Sequence, residues 1–151
     1  MTRSSAQAIG SYRLGRTTRE RSLNIPHMDT LRIIDHLQQG LPIESLDHFM
    51  SASDFSLETI ARAVQIPVRT LRRRRKQGRL RPDESDRLYR FAGVFEKCLE
   101  LFDGNREAAK HWLVSPARAL AGHSPLELAE TEVGARTVED LIGQLEHGVF
   151  P

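Results

Sequence analysis

Residues 56–80, SLETIARAVQIPVRTLRRRRKQGRL, constrain the fold more tightly than any other part of the chain. Leu57, Ile60, Ala61 and Val64, then Val68 and Leu71, recur at intervals of three and four, the spacing of a helix's inner face. Pro67 interrupts the series. It has no N–H and disfavours helical geometry at Ile66, so one helix stops before it and a second starts with it. Ser56 is a good N-cap for the first helix, and Gly78 can take the left-handed conformation that ends the second. Helix, tight turn and helix of this size form a helix-turn-helix, which lays its second helix in the major groove of DNA.

The second helix carries the charge. Val68, Leu71 and the stem of Arg75 fall on one side, and Arg69, Arg72, Arg73 and Lys76 on the other. An isolated arginine run is ordinarily a solvated face. This one follows a turn and borders a thin apolar stripe, where a recognition helix needs it. The candidate DNA-binding residues are therefore Arg69, Thr70, Arg72, Arg73 and Lys76. Arginine suits the role because its planar fork makes paired contacts to guanine or phosphate.

Charge divides the chain. Residues 1–81 hold 15 Lys and Arg against 7 Asp and Glu, and residues 82–151 hold 7 against 13, so a net of +2 conceals a basic front and an acidic back. Nucleic acid is the natural partner of the first half. The second would be repelled by phosphate and suits a protein. No apolar run approaches the ~20 residues of a membrane span, and no secretory signal opens the chain. The single cysteine, Cys98, excludes an internal disulfide framework, fits a reducing cytoplasm and reads as a small buried side chain. The histidines show no metal-ligand spacing, so neither metal nor cofactor is expected. Phosphate-loop, zinc-protease and nucleophile-elbow signatures are absent, and the reading is a non-enzyme. Asp83, Glu84 and Asp86 sit at a helix start, where the helix dipole accounts for them.

Read in order, residues 1–28 look like a disordered basic arm. Helices are expected over 30–39, capped by Asp29, and over about 43–52. The helix-turn-helix completes a DNA-binding domain over 29–81. A second domain over 82–151 opens with the longest helix, from Pro82 to about Phe102, whose stripe is Leu88, Phe91, Ala92, Phe95, Leu99 and Phe102. A short helix over 106–113 includes Trp112, read as a core anchor. A helical turn follows before Gly122. Ser124-Pro125-Leu126-Glu127 starts another short helix that ends before Gly134. Thr137-Val138-Glu139-Asp140 is a second start signature, for a last helix to about His147. With no strand-like alternation, the expected class is all-α.

The segments IARAVQIPVRTLRRRRKQGRL, ESDRLYRFAGVFEKCLELF and ARALAGHSPLELAETEVGARTVEDLIGQLEHGVF together resemble the Xre/MbcA/ParS family of bacterial antitoxins, over residues 40–151. The resemblance implies a type II antitoxin whose partner is a RES-domain toxin that degrades NAD. It implies dimerisation, assembly with the toxin into a hetero-oligomer that covers the toxin's active-site cleft, and autorepression at an operator. The last segment is the most specific, so toxin contacts are expected from Leu126, Glu130, Thr131, Glu132, Arg136, Glu146, Gly148, Val149, Phe150 and Pro151. Glu139 and Asp140 add to an acidic surface that would complement a basic, dinucleotide-binding cleft. The tail is expected to point toward that cleft, the alternative being that Val149 and Phe150 fold back onto the protein's own core. Two other readings stay open: a helix-turn-helix transcriptional regulator without a toxin partner, and a basic protein bound to RNA or the nucleoid.

Overall fold

A computed structural model describes residues 18–148. Among these residues the protein is all-α. Its helices are α1 (Thr18–Ser22), α2 (Thr30–Gln39), α3 (Ile43–Ser53), α4 (Leu57–Ala63), α5 (Val68–Gln77), α6 (Pro82–Leu101), α7 (Arg106–Val114), α8 (Pro125–Leu128) and α9 (Glu132–Glu146), with a single 3₁₀ turn at Arg118–Leu120. The caps are those the side chains dictate. Asp29, Ser56, Asn105, Ser124 and Thr131 each accept the backbone N–H three residues on, satisfying a donor that the first helical turn leaves open.

The long helix α6 is the axis. Helices α1, α2, α3, α7 and α9 all pack against it, and residues 91–96 are buried in succession. A single amphipathic stripe does not bury six consecutive residues; a helix enclosed on every side does. Phe91 and Phe95, one turn apart, meet Phe49 of α3 edge-on at centroid distances of 5.7 and 5.6 Å. Phe55, in the link to α4, completes the cluster at 5.9 and 6.0 Å. Edge-on contact sets the positive rim of one ring against the negative face of another, adding to the gain from burial. Leu57, Ile60, Leu71 and Leu88 are buried as their spacing required. Because α6 contacts elements from both halves, the hydrophobic core runs continuously across residue 82.

Three expectations need correction. The arm is ordered from residue 18 onward: α1 packs on α3 and α6, and Leu23 and Ile25 are buried. A five-residue helix is too short to display a helical period, so the sequence carried no signal for it. Residues 1–17 lie outside the described residues. The last helix begins at Glu132 rather than near Thr137, and Gly134 lies inside it. A Cβ on Gly134 would stand 1.7 Å from the carbonyl oxygen of Leu128, so the glycine permits α9 to cross the end of α8. Close approach, not helix breaking, explains this residue. Thr137 is mid-helix, and its hydroxyl donates to the Val133 carbonyl at 2.9 Å. Trp112 is only half-buried and lies beside Phe102 with centroids 6.4 Å apart, at the margin of the core, and Leu99 is likewise half-buried.

Phe95→Ala should cost about 3–5 kcal/mol, the range for deleting a fully enclosed aromatic side chain. Trp112→Ala should cost distinctly less. Urea unfolding of the two variants checks the order, and equal losses would place Trp112 in the core after all.

Candidate nucleic-acid and partner interfaces

The helix-turn-helix consists of α4 and α5. Val64 caps α4, and the bend passes through Gln65 at φ +55°, a left-handed conformation that a non-glycine residue adopts at some cost. The Gln65 side chain offsets this locally by donating to the Arg62 carbonyl at 2.7 Å. Pro67 then precedes the first turn of α5, and Gly78 ends it at φ +85°. The far end of α5 is tied to the start of α3. The N–H of Ile43 donates to the Gly78 carbonyl at 3.0 Å, and that of Leu80 to the Leu41 carbonyl at 2.9 Å. Gly40 makes this approach possible, since a Cβ there would stand 2.1 Å from the Leu80 carbonyl oxygen.

Arg69, Arg72, Arg73 and Lys76 are exposed on the outer face of α5, and Thr70 is half-buried beside them. None of the four cations has an ion-pair partner among the described residues. The structure therefore brings these sequence-identified residues together on one face. It also corrects the inner face. Arg74, not the stem of Arg75, lies inward with Leu71 and is 4% exposed. Its Nε and Nη2 donate to the two carboxylate oxygens of Glu84 at 2.7 and 3.0 Å, and Nη1 donates to Gln77 Oε1 at 3.0 Å. Arg75 turns outward to Asp47 at 2.7 Å. Four consecutive arginines read alike in sequence. Which one turns inward is decided by Glu84, ten residues away on α6.

Glu84 was legible as a helix-start acid, but not as the buried partner of Arg74. Burial raises its carboxyl pKa, while the Arg74 fork and the Arg81 N–H at 2.8 Å lower it, and the lowering prevails. The hydrogen bond to Glu84 in turn raises Arg74. Arg87 reads in sequence only as a residue on a polar face of the long helix, and its contact with the bend was not foreseen. Its Nη1 donates to the carbonyls of Val64 and Gln65 at 3.1 and 2.9 Å, and its Nη2 pairs with Asp83 at 2.7 Å.

The acidic half is less free than its composition suggests. Glu132 holds Arg136 at 2.9 Å and Arg90 at 3.2 Å; the hydrogen bond from Arg136, then that from Arg90, keeps its carboxyl below the usual range. Glu139 meets Lys97 at 3.3 Å, and Glu127 and Glu130 lie 4.0 and 3.9 Å from Arg62 of α4. Asp140 and Glu146 stay exposed without an ion pair among the described residues. Leu126 is buried and supports α8 from beneath rather than presenting a surface. Thr131 and Arg136 are exposed at one end of α9, and Glu146 and Gly148 at the other, roughly 20 Å apart by helical rise. Val149, Phe150 and Pro151 lie outside the described residues. Val133, passed over in the sequence, is an exposed apolar side chain at 75%. It lies in the first turn of α9, ahead of the helix start expected at Thr137.

Elsewhere the chemistry is quiet. Cys98 is buried, its Sγ lies 3.6 Å from the Ala109 carbonyl oxygen, and burial pushes its thiol up to about 12. Among the described residues no helix is long and apolar enough to cross a membrane.

Glu84 makes acid stability testable. A carboxyl held below its ordinary value of 4.5 stabilises the fold above that value, and the contribution is lost as pH falls below it. Glu84→Gln should cost about 3–5 kcal/mol at neutral pH, the range for breaking one side of a buried pair. The gap from the parent protein should narrow as pH falls below 4.5, as read by denaturant unfolding. A gap independent of pH would mean the pair contributes no charge-dependent stability.

Comparison with known proteins follows the same two-part division. Residues 32–93 match the antitoxin Xre-like helix-turn-helix domain, and residues 99–148 match the antitoxin Xre/MbcA/ParS C-terminal toxin-binding domain. The chain is 38% identical over 131 residues to a protein named antitoxin Xre from Yersinia enterocolitica, covering 86% of this chain and 88% of that one. It is 34% identical over 142 residues to an antitoxin Xre of Photorhabdus laumondii, with 93% of each chain covered. A third antitoxin Xre, from Pseudomonas putida, is 34% identical over 93 residues, covering 61% of this chain and 58% of that one.

Proposed function

Since this chain belongs to the Xre family of antitoxins, with a helix-turn-helix followed by a toxin-binding domain, we propose that it neutralises a RES-domain, NAD-degrading toxin by direct binding over the toxin's cleft. We further propose that it represses its own operon as a DNA-bound dimer. The observation that carries the DNA reading is the face of α5, where Arg69, Arg72, Arg73 and Lys76 are exposed and unpaired among the described residues. A cationic face without internal partners leaves its charge available to phosphates and guanine edges.

Dimerisation is proposed because one helix-turn-helix reads too few bases alone, and half-sites should lie about one helical turn, 10–10.5 bp, apart. Exposed apolar surface is available at Leu31 and Ile34 of α2. For the toxin, the candidate contacts are Thr131, Glu132 and Arg136 at the start of α9, with Glu130 just before them, and Glu146 with residues 148–151 at its end. Leu126 acts from beneath α8. Exposed Val133 offers the apolar contact that the neighbouring ion pairs lack. The acids engaged with Arg62, Arg90, Arg136 and Lys97 contribute less to electrostatic complementarity than their number suggests, which shifts weight to Asp140, Glu146 and the tail.

Two experiments test the two halves separately. The triple variant Arg69→Ala, Arg72→Ala, Arg73→Ala should lose specific operator binding, by about 1–3 kcal/mol for each paired base contact removed. Undiminished operator affinity in a mobility-shift titration would sink the DNA reading. Removing residues 148–151 should leave the protein folded and DNA-bound yet unable to protect cells from the co-expressed toxin. Full protection would move the inhibitory contact to residues 126–135.

A further inference from the structure

The N-terminal half of α6 does more than cover the helix-turn-helix. Glu84 and Arg87, three residues apart, both reach from α6 into it. Glu84 takes two of the three Arg74 guanidinium nitrogens from the middle of α5, at 2.7 and 3.0 Å, and the same carboxylate accepts the Arg81 N–H at 2.8 Å. The fork is thus anchored at the first turn of α6. Arg87 spans the bend itself, holding the carbonyls of Val64 and Gln65 while bound to Asp83.

These contacts do what the apolar seam does not. The seam under α5 consists of buried Leu71 and half-buried Val68. Apolar contact is non-directional, so a seam this thin lets a helix roll with little penalty. A bidentate guanidinium–carboxylate pair is planar and directional, and rolling the helix breaks it. Arg74 is flanked in sequence by the outward cations. Fixing its azimuth therefore fixes where Arg69, Arg72 and Arg73 point.

We propose that Glu84 and Arg87 are positioning residues for operator recognition: Glu84, through Arg74, sets the roll of α5, and Arg87, through the Val64 and Gln65 carbonyls, sets the bend that delivers it. The proposal rests on the DNA-binding reading above. Glu84, with a side chain 6% exposed, acts through Arg74 and not on DNA itself.

The test compares affinity for the operator and for a scrambled duplex of equal length, at one salt concentration, in the full-length protein. Non-specific affinity depends on the number of phosphates neutralised, which is unchanged when the outer cations are intact. The variants are Arg87→Lys, which keeps the charge but not the two-carbonyl grip, and the double replacement Arg74→Met with Glu84→Leu. The second is neutral in net charge and suits a buried pair, because apolar replacements of such pairs are often as stable as the parent. Both should remain folded by circular dichroism and bind the scrambled duplex as before. Their operator preference should fall by roughly tenfold, the scale of one misplaced bidentate base contact. An unaltered preference in both variants overturns the proposal. A parallel loss of both affinities tracking a loss of folded protein also overturns it, because that is the signature of a merely structural role. If the parent protein itself shows no preference for the operator, the DNA reading fails and the proposal falls with it. Parent affinity thus distinguishes the two failures.

Discussion

The enclosure of α6 is the constraint on which the other elements depend. Burying residues 91–96 on every side requires partners from both ends of the chain: α1 and α3 from the front, α7 and α9 from the back. Phe49 and Phe55 from the front half pack against Phe91 and Phe95 of α6, so the halves share one close-packed aromatic cluster. The helix-turn-helix and the toxin-binding region are therefore sides of one core. The two family matches end and begin within α6, at residues 93 and 99, so each region draws on the same helix.

The buried Arg74–Glu84 pair is a different kind of tie. Removing two charges from water is costly, and mutual attraction recovers the loss only where geometry is good and the remaining donors are satisfied. Both conditions hold. The fork is bidentate, Arg74 Nη1 reaches Gln77, and Glu84 also accepts the Arg81 N–H. An apolar pair of equal volume would hold α5 against α6 about as firmly but would not fix its rotation. Direction, more than strength, is what such a pair contributes.

Charge follows the same logic at the surface. Arg69, Arg72, Arg73 and Lys76 of α5 have no ion-pair partners among the described residues, whereas Glu127, Glu130, Glu132 and Glu139 of the C-terminal region are neutralised by Arg62, Arg90, Lys97 and Arg136. Exposed pairs of this kind add little stability, on the order of 0–1 kcal/mol. Their larger effect is to remove field from the surface. The protein thus presents an unscreened basic face on one side and a mostly balanced face on the other, where apolar exposure such as Val133 and the chain's end carry more of the contact.

Some of this was written in local sequence. Helix periodicity, the Ser56 and Ser124 caps, Pro67 and Gly78 determine the all-α class and the helix-turn-helix, because each acts within one or two turns of itself. The cationic face of α5 follows from the same period. What the tertiary structure decided is whatever depends on a partner distant in the chain. Arg74 rather than Arg75 turns inward because Glu84 waits on α6. Gly134 sits within a helix because the Leu128 carbonyl leaves no room for a Cβ. Residues 18–25 join the core because α1 packs on α3 and α6 and the fold buries Leu23 and Ile25. Glutamates that read as a free acidic surface are engaged because arginines from α4 and α6 lie across from them. A run of like residues, a lone glycine or a short apolar pair has the same local preferences in any of these roles, and only the neighbours brought by the fold select among them.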